Sequence, residues 1–553
     1  MKVLSAEEMQ ACDRVTSERY GVPSIELMRA ASAAVDAFAR EQFPRARRVT
    51  ILCGKGNNGG DGMMAARLLA RAGLEVTTLL LGSQYELKGD AATAWRELGV
   101  SPNRYIYEIN SPAELRAHNA ALETDLIIDA VLGTGFKPPM KGLALEAMEW
   151  ASASSAPFLS VDLPSGWPAD ATSSRVDGKR FPSDAVITFT APKPAHVFGE
   201  LTRHWDQPIV VAPIGSPDEA IISQGGLSWA GASHQLVEQP RAADGNKGKY
   251  GHVLVIGGST GKSGAPAMTS LAAMRAGAGL VTAAVPSSIL DAVSRFAPEL
   301  MTHSMAATPP GELASNGVTA QQFEKMIERM TVLAVGPGMG QGPGAEILLE
   351  AVLSDTKLPV VIDADGLNTV AANPSLLEKM TEVAKAGRTI VLTPHPGEMA
   401  RLAAASVAEI QANRLEAARS FVRERGVTLV LKGSRTLVAH PDGTVAVNTS
   451  GNPGMAKGGS GDMLTGVIAG LLAQFPNEVA RAVEAAVYLH GLAADLAVHE
   501  EDEHTLLATD SLKYFAPAFR FRPLRFSDDG QRGYVWLQGL PKKDSMQFPE
   551  GAR

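Results

Sequence analysis

Short apolar runs alternate with helical stretches along most of the chain. Val49–Cys53 (VTILC), VTTLLL, LIIDAV, FLSVDL, AVITFT and IVVAP follow one another with polar, helix-patterned segments between them. That alternation predicts parallel strands joined by crossover helices, hence one doubly wound α/β sheet. Between the first two runs, MMAARLLARAG carries alanine, leucine and arginine at helical spacing and stops at Gly73, a C-terminal cap. A second series opens at His252–Ser259 (HVLVIGGS) and continues through GLVTAAVP, TVLAVGPG, PVVIDADG, TIVLTPHPGE and VTLVLKGS. It predicts a second α/β unit with its own core. The stretch between the two series is polar and weakly periodic, so domains are expected at 1–225 and 226–522. After 522, the turn and charge signals of SDDGQRG and LPKKDSMQFPEGAR outweigh the short YVWL run. Residues 523–553 are therefore expected to form a peripheral tail. No internal repeat is visible, because the glycine loops of the two series do not match.

Composition narrows the partners. Of 553 residues, 45% are hydrophobic and 20% charged, enough apolar material for more than one core. A net charge of -8 offers no general attraction for nucleic-acid phosphates or anionic membranes, so neither is an expected partner. The two cysteines, Cys12 and Cys53, are too few for a disulfide framework and are not spaced as CxxC. A reducing compartment, the cytoplasm, is expected. MKVLSAEEMQACDR has acidic residues where a signal peptide would have its apolar centre, and Gly264–Pro286 is interrupted by Arg275 and reads as buried helix and strand.

Ligands of open parallel sheets sit beyond the carboxyl ends of the strands. After the first run comes GKGNNGGDG (Gly54–Gly62), whose glycines and helix-start N–H groups suit an anion. A tight βα turn would also use such residues, but needs fewer of them. Asp129 lies inside the apolar LIIDAV, where a carboxylate is costly unless paired or bound to a cation. Asp162 and Ser165 follow FLSV. Asn58, Asp129 and Ser165 thus offer oxygen donors that suit a hard cation.

GKGNNGGDG, LIIDAVLGTG and VDLPSGW, in this order, resemble the NAD(P)H-hydrate epimerase family. The resemblance implies a Rossmann-like three-layer fold, a potassium ion on Asn58, Asp129 and Ser165, and hydrated NADH or NADPH across the strand ends. Substrate contacts are implied at Asn57, Asn58, Gly59, Gly60 and Asp61, at Gly133, Thr134, Gly135, Phe136, Lys137, Pro138 and Pro139, and at Asp162. Asp162 is the expected acid–base residue, since epimerisation at the hydrated carbon needs proton transfer or iminium stabilisation. The segment LMRAAS (Leu27–Ser32) departs from the family's usual LMENAG.

In the second series, GNPGMAKGGSGDMLTGVIAGLLAQ (Gly451–Gln474) is a glycine-rich loop running into an apolar helix. Its glycines free backbone N–H groups to face a phosphoryl group, and Asp462 beside them is placed to take a proton from a hydroxyl attacking phosphorus. Capping of the helix by Asp462 would not call for so many glycines. With GGSTGKSGAP, GPGMG, VIDADGLN, TPHPGEMARL and LKGSRT, this loop resembles the ADP/ATP-dependent NAD(P)H-hydrate dehydratase family of the ribokinase-like α/β superfamily, from about Lys247 to Arg520. The resemblance implies that Ala265, Gly338, His395 and Asp462 contact the hydrated nucleotide. It also implies that Lys432, Gly433, Ser434, Arg435, Thr436 and Gly461 hold ADP or ATP, with magnesium. Lys457 and Ser460 stand where that family more often has threonine. His490 and Asp495 are expected to be packing and helix-surface residues.

Together the two resemblances imply repair of hydrated NADH and NADPH. The first domain would interconvert the R and S epimers. The second would dehydrate the S form at the expense of ADP, giving AMP and phosphate, in a homo-oligomeric enzyme. The alternative is a ribokinase-like small-molecule kinase fused to a non-catalytic nucleotide-binding or scaffold domain.

Overall fold

A computed structural model describes residues 1–99, 103–526 and 532–541. The chain forms two compact units. One is Met1–Leu227 together with the segment from Arg522 on, and the other is Ser228–Phe521.

Seven parallel strands build the first sheet: β1 (Arg48–Cys53), β2 (Glu75–Leu81), β3 (Arg104–Ile109), β4 (Leu126–Ala130), β5 (Phe158–Val161), β6 (Ala185–Phe189) and β7 (Ile209–Ala212). Their order is β3-β2-β1-β4-β5-β6-β7, so the direction of winding switches between β1 and β4. Along β1, Val49, Ile51 and Cys53 enter one apolar cluster and Leu52 the other. Both faces of the sheet are therefore covered, which is why its central strands read as unbroken apolar runs. β3 was not among the expected strands. RYIYEI is an edge strand, with Tyr105 and Tyr107 partly open to water, so it lacks that signature.

The second sheet contains β8 (Leu227–Trp229), β9 (His252–Ile256), β10 (Leu280–Pro286), β11 (Met301–Met305), β12 (Val332–Val335), β13 (Val360–Ile362), β14 (Ile390–Leu392), β15 (Thr428–Leu431), β16 (Leu437–Ala439) and β17 (Val445–Val447). Its order is β11-β10-β9-β12-β13-β14-β15-β16-β17-β8. The strands from β9 to β15 pair in parallel, and β15, β16 and β17 pair antiparallel. The parallel part thus repeats the 3-2-1-4-5-6-7 winding of the first sheet, although the two sequences show no repeat.

The expectation of a peripheral C-terminal tail is overturned. β18 (Leu524–Phe526) and β19 (Arg532–Gln538) extend the first sheet, with β19 antiparallel to β7. Trp536 is 1% exposed and packs in the core cluster that contains Phe38. Tyr534 meets Phe38 edge-on at 5.2 Å and donates to Ala34 O at 3.2 Å. The YVWL run is a sheet strand after all; its charged flanks masked it. The flanking residues 527–531 and 542–553 lie outside the described residues.

Candidate active sites

In the first unit the glycine motif is a helix start. The helix Asn57–Arg71 begins inside GKGNNGGDG, at its first asparagine, with Gly56 as an extended N-cap. The glycines serve packing. A Cβ on Gly59 would lie 1.9 Å from Gly54 O, and one on Gly62 would lie 2.6 Å from Ala130 Cβ. Only without side chains can this helix close onto β1 and β4. The helix start then brings Asn58 to the switch between those two strands, where both amide atoms of Asn58 are buried without a hydrogen-bond partner.

Asp162 follows β5 at φ 65, a left-handed conformation that residues other than glycine seldom adopt. Its N–H donates to Ile187 O at 2.7 Å, and His196 Nε2 meets its carbonyl at 2.7 Å. Because Lys193 N–H donates to His196 Nδ1 at 3.0 Å, the imidazole proton sits on Nε2. Burial, then the neighbouring Lys193, lower His196 to about 4, so it is neutral. Asp162 Oδ1 accepts from Thr188 Oγ1 at 2.9 Å and from Lys193 Nζ at 2.8 Å. Oδ2 accepts from Thr134 N at 3.2 Å and lies 3.2 Å from where a Cβ on Gly133 would stand. Burial, the largest single influence, opposes the charge of Asp162, but the Lys193 ammonium and the hydrogen bonds from Lys193 and Thr188 act together against it, and the carboxyl is held below its usual range. Asp61 behaves oppositely. Burial, then the charges of Asp162 and Asp13, raise it far above the carboxylate range, while burial lifts Asp13 to about 6.

Asp129 is fully buried and is pushed up to about 6 by burial. Its Oδ1 accepts from Ser165 Oγ at 2.6 Å and its Oδ2 from Ser165 N at 2.7 Å. Ser165 Oγ in turn accepts from Leu132 N at 2.7 Å, and Asn58 lies against Gly133. Asn58, Asp129 and Ser165 therefore converge on the Leu132–Gly133 segment. Of the expected substrate contacts, Gly133 and Thr134 reach Asp162, Phe136 packs against the apolar cluster beneath, and Gly135, Lys137, Pro138 and Pro139 are exposed. Lys193, Thr188, His196 and Asp13 were missed, since none stands in a motif; a lysine buried between two prolines in APKPAHVF was the available signal.

In the second unit, Asp462 occupies the first turn of the helix Ser460–Gln474, whose cap is Gly459 at φ 94. The N-cap is that glycine and Asp462 is the third residue of the helix, so Asp462 is not itself the N-cap. Burial first, then Asp363, raise Asp462 to about 6. Next to it, Lys432 Nζ binds Asp363 Oδ1 at 2.9 Å and lies 3.9 Å from Glu398 Oε2. A Cβ on Gly461 would be 3.3 Å from that ammonium, so glycine here admits the lysine. Thr465 Oγ1 donates to Asp363 Oδ2 at 2.7 Å. Ala364, at φ 50, turns the next aspartate away. Asp365 instead accepts from Lys262 Nζ at 3.1 Å and from Gly340 N at 2.9 Å.

Ala265 and Gly338 face each other, the latter at φ 64, with a Cβ there 3.1 Å from that of Ala265. His395 caps the helix Pro396–Leu402 through Nδ1, which accepts from Gly397 N at 2.9 Å. Its ring remains half exposed. Gly433, Ser434, Arg435 and Thr436 form the hairpin between β15 and β16, pinned by Arg414 to Leu431 O at 3.1 Å and Ser434 O at 2.5 Å. Asp495 is not a free helix-surface residue. It accepts from Gly451 N at 2.8 Å and Asn452 Nδ2 at 2.9 Å, tying down the loop that leads to Asp462. His490 is buried and is lowered to about 4 by burial and Lys432. Asp363, Glu398, Thr465 and Arg414 were missed; the first aspartate of VIDADG, at a strand end, was the readable clue.

Two largely parallel α/β sheets, one with a buried carboxylate just past a strand end and the other with a partly buried carboxylate at a glycine-capped helix start, define an enzyme with two active centres. Residues 253–516 match the NAD(P)H-hydrate dehydratase family and residues 24–195 the YjeF-related protein N-terminus. The bifunctional NAD(P)H-hydrate repair enzyme of Moorella thermoacetica is 39% identical over 94% of this chain and 97% of its own length. That of Escherichia coli is 35% identical over 91% of each chain. The crystal structure of the ADP/ATP-dependent NAD(P)H-hydrate dehydratase from Bacillus subtilis, co-crystallised with ATP and Mg2+, is 30% identical, covering 52% of this chain and 96% of that one with a TM-score of 0.42. The chain belongs to the bifunctional NAD(P)H-hydrate repair enzymes.

Proposed function

We propose that the chain restores hydrated NADH and NADPH, the first unit interconverting the R and S epimers and the second dehydrating the S form with ADP or ATP. The observation that carries the reading is the contrast between its two carboxylates. Asp162 is held charged by Lys193, and Asp462, which is not itself the N-cap, is poised at about 6. Asp462 would take the proton of the substrate hydroxyl as that oxygen attacks the terminal phosphorus of the nucleotide. The phosphorylated oxygen then leaves with its electron pair, driven by the ring nitrogen, and the neighbouring ring carbon gives up a proton so that its C–H pair closes the ring double bond. With ADP the products are NAD(P)H, AMP and phosphate; no hydride moves.

Lys432, Gly461 and the hairpin Gly433–Thr436 would lie along the nucleotide phosphates, and Ala265, Gly338 and His395 along the hydrated nucleotide. Magnesium takes few carboxylates and completes its shell with substrate phosphates, so it would enter with the nucleotide. Asn58, Asp129 and Ser165 fit potassium: an orphaned amide, a buried carboxylate and a hydroxyl meet at one loop. Such an ion would supply positive charge that ionises Asp129 and fixes the Leu132–Gly133 segment. Cys12 and Cys53 are both buried and unpaired, which supports a reducing, cytoplasmic setting for an enzyme we place as a homo-oligomer.

The test is recovery of NADH absorbance from a mixture of both hydrate epimers with ADP or ATP and potassium, with phosphate release followed in parallel. Full recovery is expected. Recovery that stops after one epimer, beyond slow spontaneous interconversion, would remove the epimerase role; no recovery with either nucleotide would remove the dehydratase role.

A further inference from the structure

The carboxylate of Asp162 is held asymmetrically. Oδ1 is saturated by two short contacts, from Thr188 Oγ1 and Lys193 Nζ. Lys193 Nζ also donates to Thr188 Oγ1 at 2.8 Å, so the three groups close a triangle. The lysine side chain is 3% exposed and, among the described residues, reaches no other carboxylate within ion-pair distance. Behind it, the lysine's own N–H fixes the tautomer of His196, and His196 Nε2 donates to the Asp162 carbonyl. One short segment, Lys193–His196, thus clamps both the side chain and the strained backbone of Asp162. Oδ2 carries a single long bond from Thr134 N and faces the side where Gly133 leaves room beside Asn58.

We propose that Lys193 is a positioning residue of the first unit's reaction, fixing Asp162 Oδ1 together with Thr188 so that Oδ2 is the oxygen presented to the hydrated ring. The inference deepens the epimerase reading and rests on it. A lysine serving only to balance a buried charge would not need the second bond to Thr188 or the backbone link through His196. Charge balance around the site also makes the lysine specific. Asp13 and Asp61 face the same ammonium, both with raised affinity for protons, and His196 is neutral, so Lys193 is the positive group that keeps Asp162 ionised.

The experiment uses the full-length enzyme without nucleotide, so that the dehydratase is silent, and follows conversion of one purified hydrate epimer into the other by chromatography across pH. Wild type should epimerise well above the spontaneous rate. Lys193→Met should lower kcat by ~10² or more, with little change in KM, because an acid–base contribution of ~10²–10⁴ is being disabled. Its acid limb should move up by ~1–3 pH units, the usual effect of an adjacent opposite charge on a carboxyl. Lys193→Arg should restore most of the acid limb. If Lys193→Met does not fold, Thr188→Val removes the other donor to Oδ1 and should move the acid limb the same way. Wild-type kcat and acid limb in Lys193→Met, or in Thr188→Val where that variant is used, would overturn the proposal. A wild-type enzyme that does not epimerise would instead overturn the reading beneath it.

Discussion

Lys432 Nζ lies 2.9 Å from Asp363 Oδ1, and Thr465 holds the other oxygen of the same carboxylate at 2.7 Å. This pair joins the end of β13, the end of β15 and the start of the helix that carries Asp462. Asp363 is 1% exposed, so removing the ammonium leaves a buried charge without its partner. Lys432→Met is expected to lose ~3–5 kcal/mol of stability, read from denaturant unfolding of the second unit's transition. Lys432→Met combined with Asp363→Asn should recover part of that loss.

Asp462→Asn is expected to cut ADP- or ATP-dependent NADH recovery by ~10²–10⁴, the range for removing a general base. Nucleotide binding, measured by calorimetry, should persist, and epimerisation should be untouched because Asp162 is in the other unit. Loss of binding together with loss of the folded second unit would make Asp462 structural.

The dehydratase should lose activity in acid with a midpoint of about 6, where burial and Asp363 place the Asp462 carboxyl. Below that pH the carboxyl is protonated and cannot take the hydroxyl proton, so the rate should fall about tenfold per unit. The sign for stability is the reverse. The folded state holds this proton more tightly than the unfolded chain, so the Asp462 contribution weakens as pH rises from the ordinary aspartate value of 3.8 to about 6. Steady-state rates across pH 4.5 to 8, roughly the span over which such a group titrates, check the activity limb.

Two glycines of one motif should differ. Gly59→Ala drives a methyl to within 1.9 Å of Gly54 O and is expected to cost more than the ~1–3 kcal/mol of ordinary overpacking. Gly56→Ala meets nothing within 4 Å and sits at φ -93, so its melting temperature should stay near wild type, within ~0.5 kcal/mol of stability. Thermal melts of the two variants decide between packing and phosphate approach as the reason for the glycines.

Sequence patterning alone carried both α/β units. Strands buried on both faces must be apolar throughout, and their ends must turn through glycine and polar residues. Asp162 and Asp462 were legible for the same reason: a charged group next to an apolar run needs a cause. Edge strands escaped, because β3 and β11 show water one face and lose the signature. The C-terminal strand β19 escaped because its pairing partner, β7, is more than three hundred residues away in the chain. Only tertiary structure could decide that pairing, and only it could bring Lys193 to Asp162 and Lys432 to Asp363. A partner across a sheet is chosen by where the strands fall in space. Spacing along the chain reports which side chains are buried, but not which of the buried charges meet.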